Sequence, residues 1–163
     1  MEFHTMPYFF AKKHLMPDWF DLGYDDSYSV TDPQAPYGSS RSEREIYIDG
    51  MRRRTKEAAI AIINYIEDCK PSTSLRVISN QIIKSATSTA ANYRAACVAR
   101  SGREFFAKMS IVVEEADETV FWLEILYESK IKVNKEGIIP LGKEWREITK
   151  IMSAARKKAK GKR

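Results

Sequence analysis

Two long amphipathic repeats meet at one helix boundary in the middle of the chain. In both repeats, apolar or small residues recur every three or four positions, which places them on a single face of an α-helix. The first repeat runs from Leu75 to Ala96 and the second from Phe105 to Leu126. Between them, the Ser-x-x-Glu sequence at 101–104 is typical of a capping box, which begins a new helix directly after the first one ends. A connection this short predicts two antiparallel neighbouring helices.

Two further helices flank this hairpin. Upstream, an apolar repeat predicts a helix from about Met51 to Cys69. Downstream, a second repeat predicts a helix that Gly137 and Pro140 open. No alternating segment reaches the length of a strand. The sequence therefore predicts an all-α fold, an antiparallel up-down four-helix bundle with an irregular N-terminal arm.

The predicted domain boundaries follow a change in composition. Nine aromatic residues are scattered over residues 1–45 without a helical period, and four prolines interrupt any helix there. We expect an aromatic and acidic arm at 1–45, the bundle at 46–158 and a basic tail at 159–163. Two interpretations of the arm stay open. Either it docks on a partner or on the basic bundle, for example 18–32 against 52–54, or the reading frame is over-extended and truly starts near residue 51.

Charge is distributed unevenly along the chain. Residues 51–163 hold 23 Lys/Arg and 13 Asp/Glu, whereas residues 1–50 hold 4 and 9. The basic excess is concentrated near both ends of the predicted bundle and predicts contacts with nucleic-acid phosphates. The candidate residues are Arg52, Arg53, Arg54, Lys56, Arg156, Lys157, Lys158 and Lys160. The alternative is a solvated charged face.

The first basic cluster raises a problem of its own. Residues 52–54 lie near the predicted start of a helix, where the helix dipole disfavours positive charge. An acidic group should therefore compensate them. A phosphate, a neighbouring subunit and the acidic arm are the three candidates.

Polar residues interrupt the inward-facing repeats of the central hairpin. Buried polar groups need partners, so we expect hydrogen bonds and ion pairs that link the second and third helices and fix their register. Asn92 and Thr119 would take part in these contacts, and Arg94 and Arg100 would be counter-charges for Glu115 and Glu118. The predicted polar core consists of Ser85, Asn92, Arg94, Glu115, Glu118 and Thr119.

The segment 120–127 is apolar on nearly all sides. Only one side of a helix can face the core of its own bundle. Either this helix is central and covered on several sides, or it forms a subunit interface. The candidate interface residues are Phe121, Trp122 and Ile125, since aromatic anchors dominate such contacts.

The sequence lacks the patterns of catalytic and cofactor sites. A di-metal site in a bundle needs Glu-x-x-His pairs, and the two histidines, His4 and His14, lie in the arm. There is no Gly-rich phosphate loop, zinc-ligand spacing or paired nucleophile and base. We expect a non-enzyme without cofactor or metal. With no secretory signal or membrane span, and with Cys69 and Cys97 as reduced thiols, we expect a cytoplasmic protein.

The central hairpin also carries a specific residue pattern. It has Ser-x-x-Ser-x-x-x-Asn on the second helix, Ser-x-x-x-Phe at the start of the third, and Glu-Ala-x-Glu-Thr followed by Trp-Leu. The residues are Ser85, Ser88, Asn92, Ser101, Phe105, Glu115, Ala116, Glu118, Thr119, Trp122 and Leu123. Over about 46–158 the chain resembles the bacterial four-helix-bundle family encoded in 23S rRNA intervening sequences.

The resemblance implies partners. Members resemble the accessory proteins of diversity-generating retroelements, which form pentameric barrels and bind nucleic acid alongside a reverse transcriptase. It implies a homo-oligomer, a pentamer, with RNA or DNA and a reverse transcriptase or other protein as partners. We expect an accessory nucleic-acid-binding protein of low sequence specificity, since no base-reading helix or aromatic stacking platform is evident. The alternative is a protein-interaction adaptor or scaffold that binds no nucleic acid.

Overall fold

The computed structural model describes residues 42–160. Residues 1–41 of the predicted arm and the last three residues of the predicted tail lie outside this range. Within it, the chain forms four α-helices and no strand: α1 Glu43–Glu67, α2 Thr73–Ala96, α3 Gly102–Glu128 and α4 Lys135–Lys160. The predicted all-α four-helix bundle is confirmed. None of the helices in the described range is both long enough and apolar enough to cross a membrane.

The first helix begins about two turns earlier than the sequence analysis predicted. Ser42 caps it: the backbone N–H of Glu45 donates to the Ser42 side chain, and the Glu45 carboxylate accepts from the Ser42 backbone N–H at 2.8 Å. The predicted start near Met51 is therefore wrong, and residues 43–45 belong to the bundle rather than to an irregular arm. Arg52 and its neighbours consequently lie in the third turn of α1. The helix dipole acts mainly on the first turn, so the dipole argument does not apply to them.

The predicted apolar repeats form the core. Each helix contacts the next one along the chain, and α1 also contacts α4, which closes the bundle. Ile62, Ile82, Met109 and Trp145, one from each helix, are fully buried. Burying a large aliphatic or aromatic side chain contributes roughly 1.5–3 kcal/mol, so this shared core, rather than helix propensity, stabilises the fold.

The helices alternate in direction, so the bundle has two distinct ends. At one end, Arg52 of α1 lies near the Cys97 thiol after α2, and Phe106 of α3 shares a groove with Lys160 of α4. At the other end, the Tyr65 hydroxyl of α1 donates a 2.9 Å hydrogen bond to the carbonyl before α4. We call the first the basic end (43–53, 92–112 and 150–160) and the second the opposite end (57–83 and 121–145).

Candidate nucleic-acid interface

The alternating helix directions bring both predicted basic clusters toward the same end of the bundle. The basic end holds 12 Lys/Arg and 4 Asp/Glu, whereas the opposite end holds 6 and 7. A net excess of positive charge on one end of a small bundle creates a potential that attracts polyanions. The basic end is therefore the part of the described chain best suited to contact phosphates.

Arg54 does not belong to this surface. Its guanidinium donates two hydrogen bonds to the Glu144 carboxylate of α4, one of them 2.9 Å long. The two side chains are only 22% and 14% exposed. Donating these hydrogen bonds to the Glu144 carboxylate raises the pKa of Arg54. This pair joins α1 to α4. Because its guanidinium already binds Glu144, Arg54 is not available to a phosphate.

Arg52 also faces the bundle rather than solvent. Its Nη1 lies 3.5 Å from Asp49 Oδ1, and its Nε is buried without a hydrogen-bond partner among residues 42–160. The side chain lies near the Cys97 thiol, whose pKa is raised by burial and lowered to a smaller extent by the Arg52 charge. Arg52 therefore belongs to the contact between α1 and α2.

The prediction of a phosphate-binding arginine triplet needs correction. Successive residues on a helix point about 100° apart, so residues 52–54 spread around α1 instead of forming one patch. Among the described residues, Asp49 and Glu144 compensate Arg52 and Arg54. The arm expected to dock on 52–54 lies outside the described residues, so that contact stays a prediction. Arg53 and Lys56 are exposed and remain candidates for phosphate contact.

The second basic cluster lies beside a groove between α3 and α4. The groove has a volume of about 520 Å³ and is lined by Phe106, Ser153, Arg156, Lys157 and Lys160. The four α4 residues recur at helical spacing, so they form one stripe along two turns. We call this the α4 groove. Lys158 is exposed and does not line it.

Further cations from the connection between α2 and α3 join the basic end. Arg94 and Arg103 are exposed there. Arg100 pairs with Glu104 at 3.4 Å, and hydrogen bonding from the Arg100 backbone lowers the pKa of Glu104. The sequence analysis did not assign these residues to nucleic acid. The alternating direction of short-looped helices was the signal that could have placed them there.

The predicted polar core is smaller than expected. Thr119 Oγ1 donates a 2.9 Å hydrogen bond to Ser85 Oγ, and both hydroxyls are buried, so this pair links α3 to α2. Asn92 instead donates to the Ser88 carbonyl and hydroxyl within α2, at 3.0 and 3.1 Å. Seven residues, about 10 Å of helix, separate Asn92 from Ser85, so Asn92 is too far along α2 to meet Thr119.

The expected ion pairs between α2 and α3 are not present among residues 42–160. Glu118 accepts a 2.9 Å hydrogen bond from the Trp122 ring N–H within α3. Arg94 is exposed, and Glu115 is half-buried without an ion-pair partner in the described range. Because α2 and α3 are antiparallel and Ser85 meets Thr119, Arg94 lies about 12 Å beyond Glu118 and about 7–8 Å beyond Glu115 along the bundle axis, and it makes no ion pair with either carboxylate in the described range. The prediction of Arg94 as a counter-charge for these carboxylates is wrong.

The predicted interface residues lie together on α3, away from the basic end. The Phe121 side chain is 49% exposed, and its ring packs edge-on against Trp122, with ring centroids 4.9 Å apart. Trp122 and Ile125 are half-buried and pack against the core. The structure thus presents an aromatic ring to solvent from a helix that also supports the core.

The described residues offer no other chemical centre. From 42 to 160, no group of three or more His, Cys, Asp or Glu is placed to hold a metal ion. A second groove, at the opposite end, has a volume of about 310 Å³ and carries both charges, with Glu124 and Glu128 facing Lys143 and Arg146. What the basic end can do chemically is bind anions through guanidinium and ammonium groups.

Comparisons with known proteins give two findings. The family model described as 23S rRNA-intervening sequence protein matches residues 51–154. The chain is also similar to a solved structure, a protein with unknown function from the S23 ribosomal protein family of Bacteroides thetaiotaomicron, with 30% sequence identity and a TM-score of 0.61. That similarity covers 68% of this chain and 97% of the other. A comparison with curated proteins gives no match.

Proposed function

The chain belongs to the 23S rRNA-intervening sequence protein family, and from this premise we propose that it is a non-enzymatic accessory protein that binds RNA or DNA. It contacts the phosphate backbone with little sequence preference. One observation carries the proposal: the basic end holds 12 Lys/Arg against 4 Asp/Glu, while the opposite end has no such excess.

Exposed cations at the basic end supply the phosphate contacts. Cations that neutralise phosphates release counterions, and this release drives sequence-independent binding. Arg52 and Arg54 are excluded from the contact surface, because Asp49 and Glu144 already bind them. The proposed contact residues at the basic end are Arg53, Arg94, Arg103, Arg156, Lys157, Lys158 and Lys160, and Lys56 lies one turn beyond them on α1.

We further propose that the protein acts as a homo-oligomer, a pentamer as the family resemblance implies. The exposed Phe121 ring, with Trp122 and Ile125 beside it, supports self-association through α3. A large exposed aromatic next to half-buried apolar side chains is typical of an interface anchor. In a symmetric assembly every basic end would be repeated, so weak contacts in each subunit would add up to useful avidity.

The test compares two variants with equal charge loss. The basic-end variant combines Arg156→Gln, Lys157→Gln and Lys160→Gln. The opposite-end variant combines Lys70→Gln, Lys130→Gln and Lys132→Gln, three exposed lysines in the connections at the other end. Binding of a fluorescent RNA and a DNA duplex by nuclease-treated protein is measured by anisotropy across a salt series, and light scattering gives the oligomer mass.

The expected result is a loss confined to the basic-end variant. Each lost phosphate contact lowers the slope of log K against log salt by roughly 0.7–0.9, so three contacts lower it by about 2–3. The opposite-end variant should keep the wild-type slope. Equal losses in both variants, or no wild-type binding at low salt, would refute the proposal. A nuclease-resistant complex with an acidic protein would then favour the adaptor alternative.

A further inference from the structure

The α4 groove combines an aromatic ring with a one-sided set of charges. Phe105 packs in the core at 7% exposure, but the next residue, Phe106, is only half-buried and faces the groove. Ser153, Arg156, Lys157 and Lys160 line it as well, and none of the lining residues within 42–160 is a carboxylate. The stripe from Ser153 to Lys160 is about 10 Å long.

The second groove, between α3 and α4 at the opposite end, does not share this combination of an aromatic ring with cations alone. That groove also lies between α3 and α4 and has an exposed aromatic, Tyr127, but Glu124 and Glu128 line it together with two cations. Carboxylates at these positions would repel a phosphate. A ligand with one flat apolar face and a negative backbone therefore fits the α4 groove and not the second groove.

We propose that the α4 groove binds an unpaired nucleotide of single-stranded RNA or DNA. The base lies against the Phe106 ring, and the flanking phosphates lie against Arg156, Lys157 and Lys160. Ser153 lines the same groove, and its hydroxyl can donate to or accept from any base edge. The inference rests on the proposed function and adds to it a preference for single strands.

The volume of the α4 groove and the stacking of bases in a duplex both favour an unpaired nucleotide over a duplex as its ligand. A volume of about 520 Å³ falls within the roughly 300–1,000 Å³ range of small-molecule pockets, which is enough for a nucleotide. In a duplex, each base is already stacked and paired, and exposing one costs a few kcal/mol. A duplex can therefore reach the cations but not the ring. The sequence analysis found no stacking platform, because a phenylalanine that directly follows a core phenylalanine gives no sign of its own exposure.

The experiment uses the full chain with Phe106→Leu, which keeps an apolar side chain but removes the aromatic ring. Phe106→Tyr restores an aromatic ring, and Tyr127→Leu removes an exposed aromatic at the other end of α3 as a matched control. Three ligands of equal length are compared: a single strand, the same strand with central abasic sites, and the duplex. Circular dichroism melts establish that each variant is folded.

Stacking of one base on an aromatic side chain changes affinity by about 5- to 150-fold. Phe106→Leu should weaken single-strand binding within that range, leave duplex binding unchanged and keep the salt slope. Phe106→Tyr and Tyr127→Leu should bind like wild type. The abasic strand should bind wild type as weakly as the intact strand binds Phe106→Leu.

Two results would overturn the inference, and they differ from failure of the proposed function. Equal weakening of single-strand and duplex binding by Phe106→Leu would assign the ring a structural role. Unchanged binding of all three ligands would exclude the ring from the contact. In both cases the basic-end variant would still lose affinity. If wild type binds no ligand at low salt, the proposed function fails and the stacking inference fails with it.

Discussion

Removing one partner of the Arg54–Glu144 ion pair should destabilise the bundle more than removing both. An exposed ion pair contributes about 0–1 kcal/mol, and loss of one partner from a fully buried pair costs roughly 3–5 kcal/mol. At 22% and 14% exposure, this pair lies between those limits. We therefore expect Arg54→Met and Glu144→Met each to lower the free energy of unfolding by about 2 kcal/mol, because each leaves a charge unpaired.

The double variant should behave differently from the sum of the two single changes. Two methionines remove both charges and restore apolar contact, so the loss should be within about 1 kcal/mol of wild type. Additive effects would give about 4 kcal/mol, so the expected interaction energy is about 3 kcal/mol. Urea unfolding followed by circular dichroism, at one fixed protein concentration, measures these values. Melting temperatures provide a check, at roughly 2–4 °C per kcal/mol.

Two outcomes would refute this account of the pair. A double variant that loses about as much as both single variants together would show that the two side chains do not interact. A double variant whose nucleic-acid affinity falls as far as that of the basic-end variant would show that Arg54 contacts phosphate after all. The structure predicts an unchanged salt slope, because Glu144 already accepts both guanidinium hydrogen bonds.

Four further predictions concern single sites. Thr119→Val keeps the side-chain volume but removes the hydrogen bond to Ser85, so unfolding free energy should fall by about 1–2 kcal/mol in a urea titration; no loss would mean the bond contributes nothing. Phe121→Glu should reduce the mass measured by light scattering with little change in melting temperature, whereas an unchanged mass would exclude this face from the subunit contact. Ser42→Ala removes the cap of α1 and should cost about 1 kcal/mol, with faster hydrogen exchange in the first turn; unchanged exchange would contradict this. Cys97 should react with iodoacetamide more slowly than free cysteine near neutral pH, since burial raises its pKa and depletes the thiolate; an equal rate would disprove it.

The helices and their core could be predicted from the sequence because their signals are local. Residues such as Ile82, Met109 and Trp145 lie at helical spacing within long repeats, and all three are fully buried. The start of α1 was missed although Ser42 and Glu45 repeat the Ser-x-x-Glu pattern that correctly marked the start of α3. This Ser-x-x-Glu pattern lies within 1–45, the segment assigned to the irregular arm because of its scattered aromatics and prolines, so it was not taken as a cap.

The site was harder to predict because it depends on how the helices are rotated and aligned. Arg54 and Glu144 are 90 residues apart, and only the rotation of α1 about its axis turns Arg54 towards α4. Neighbouring arginines in the sequence looked like one cluster, whereas the helix points them in different directions. Similarly, the sequence identified Ser85 and Thr119 as polar core residues, but only the register of α2 against α3 pairs them and leaves Asn92 within its own helix.

Phosphate contact by the basic-end cations and base stacking on Phe106 can be measured separately, because the helix dipoles add little to the field at this end. At each end of an antiparallel bundle, two helix starts lie beside two helix ends, so their partial charges offset one another. The field at the basic end therefore comes from side chains, which salt screens over about 8–10 Å near physiological ionic strength. Stacking on Phe106 releases no counterions. In a plot of log K against log salt for a single strand, the basic-end variant should change the slope, whereas Phe106→Leu should give a line parallel to wild type and displaced from it. If the basic-end variant gives a parallel displaced line, or Phe106→Leu changes the slope, the cations and the Phe106 ring do not contribute separately to binding.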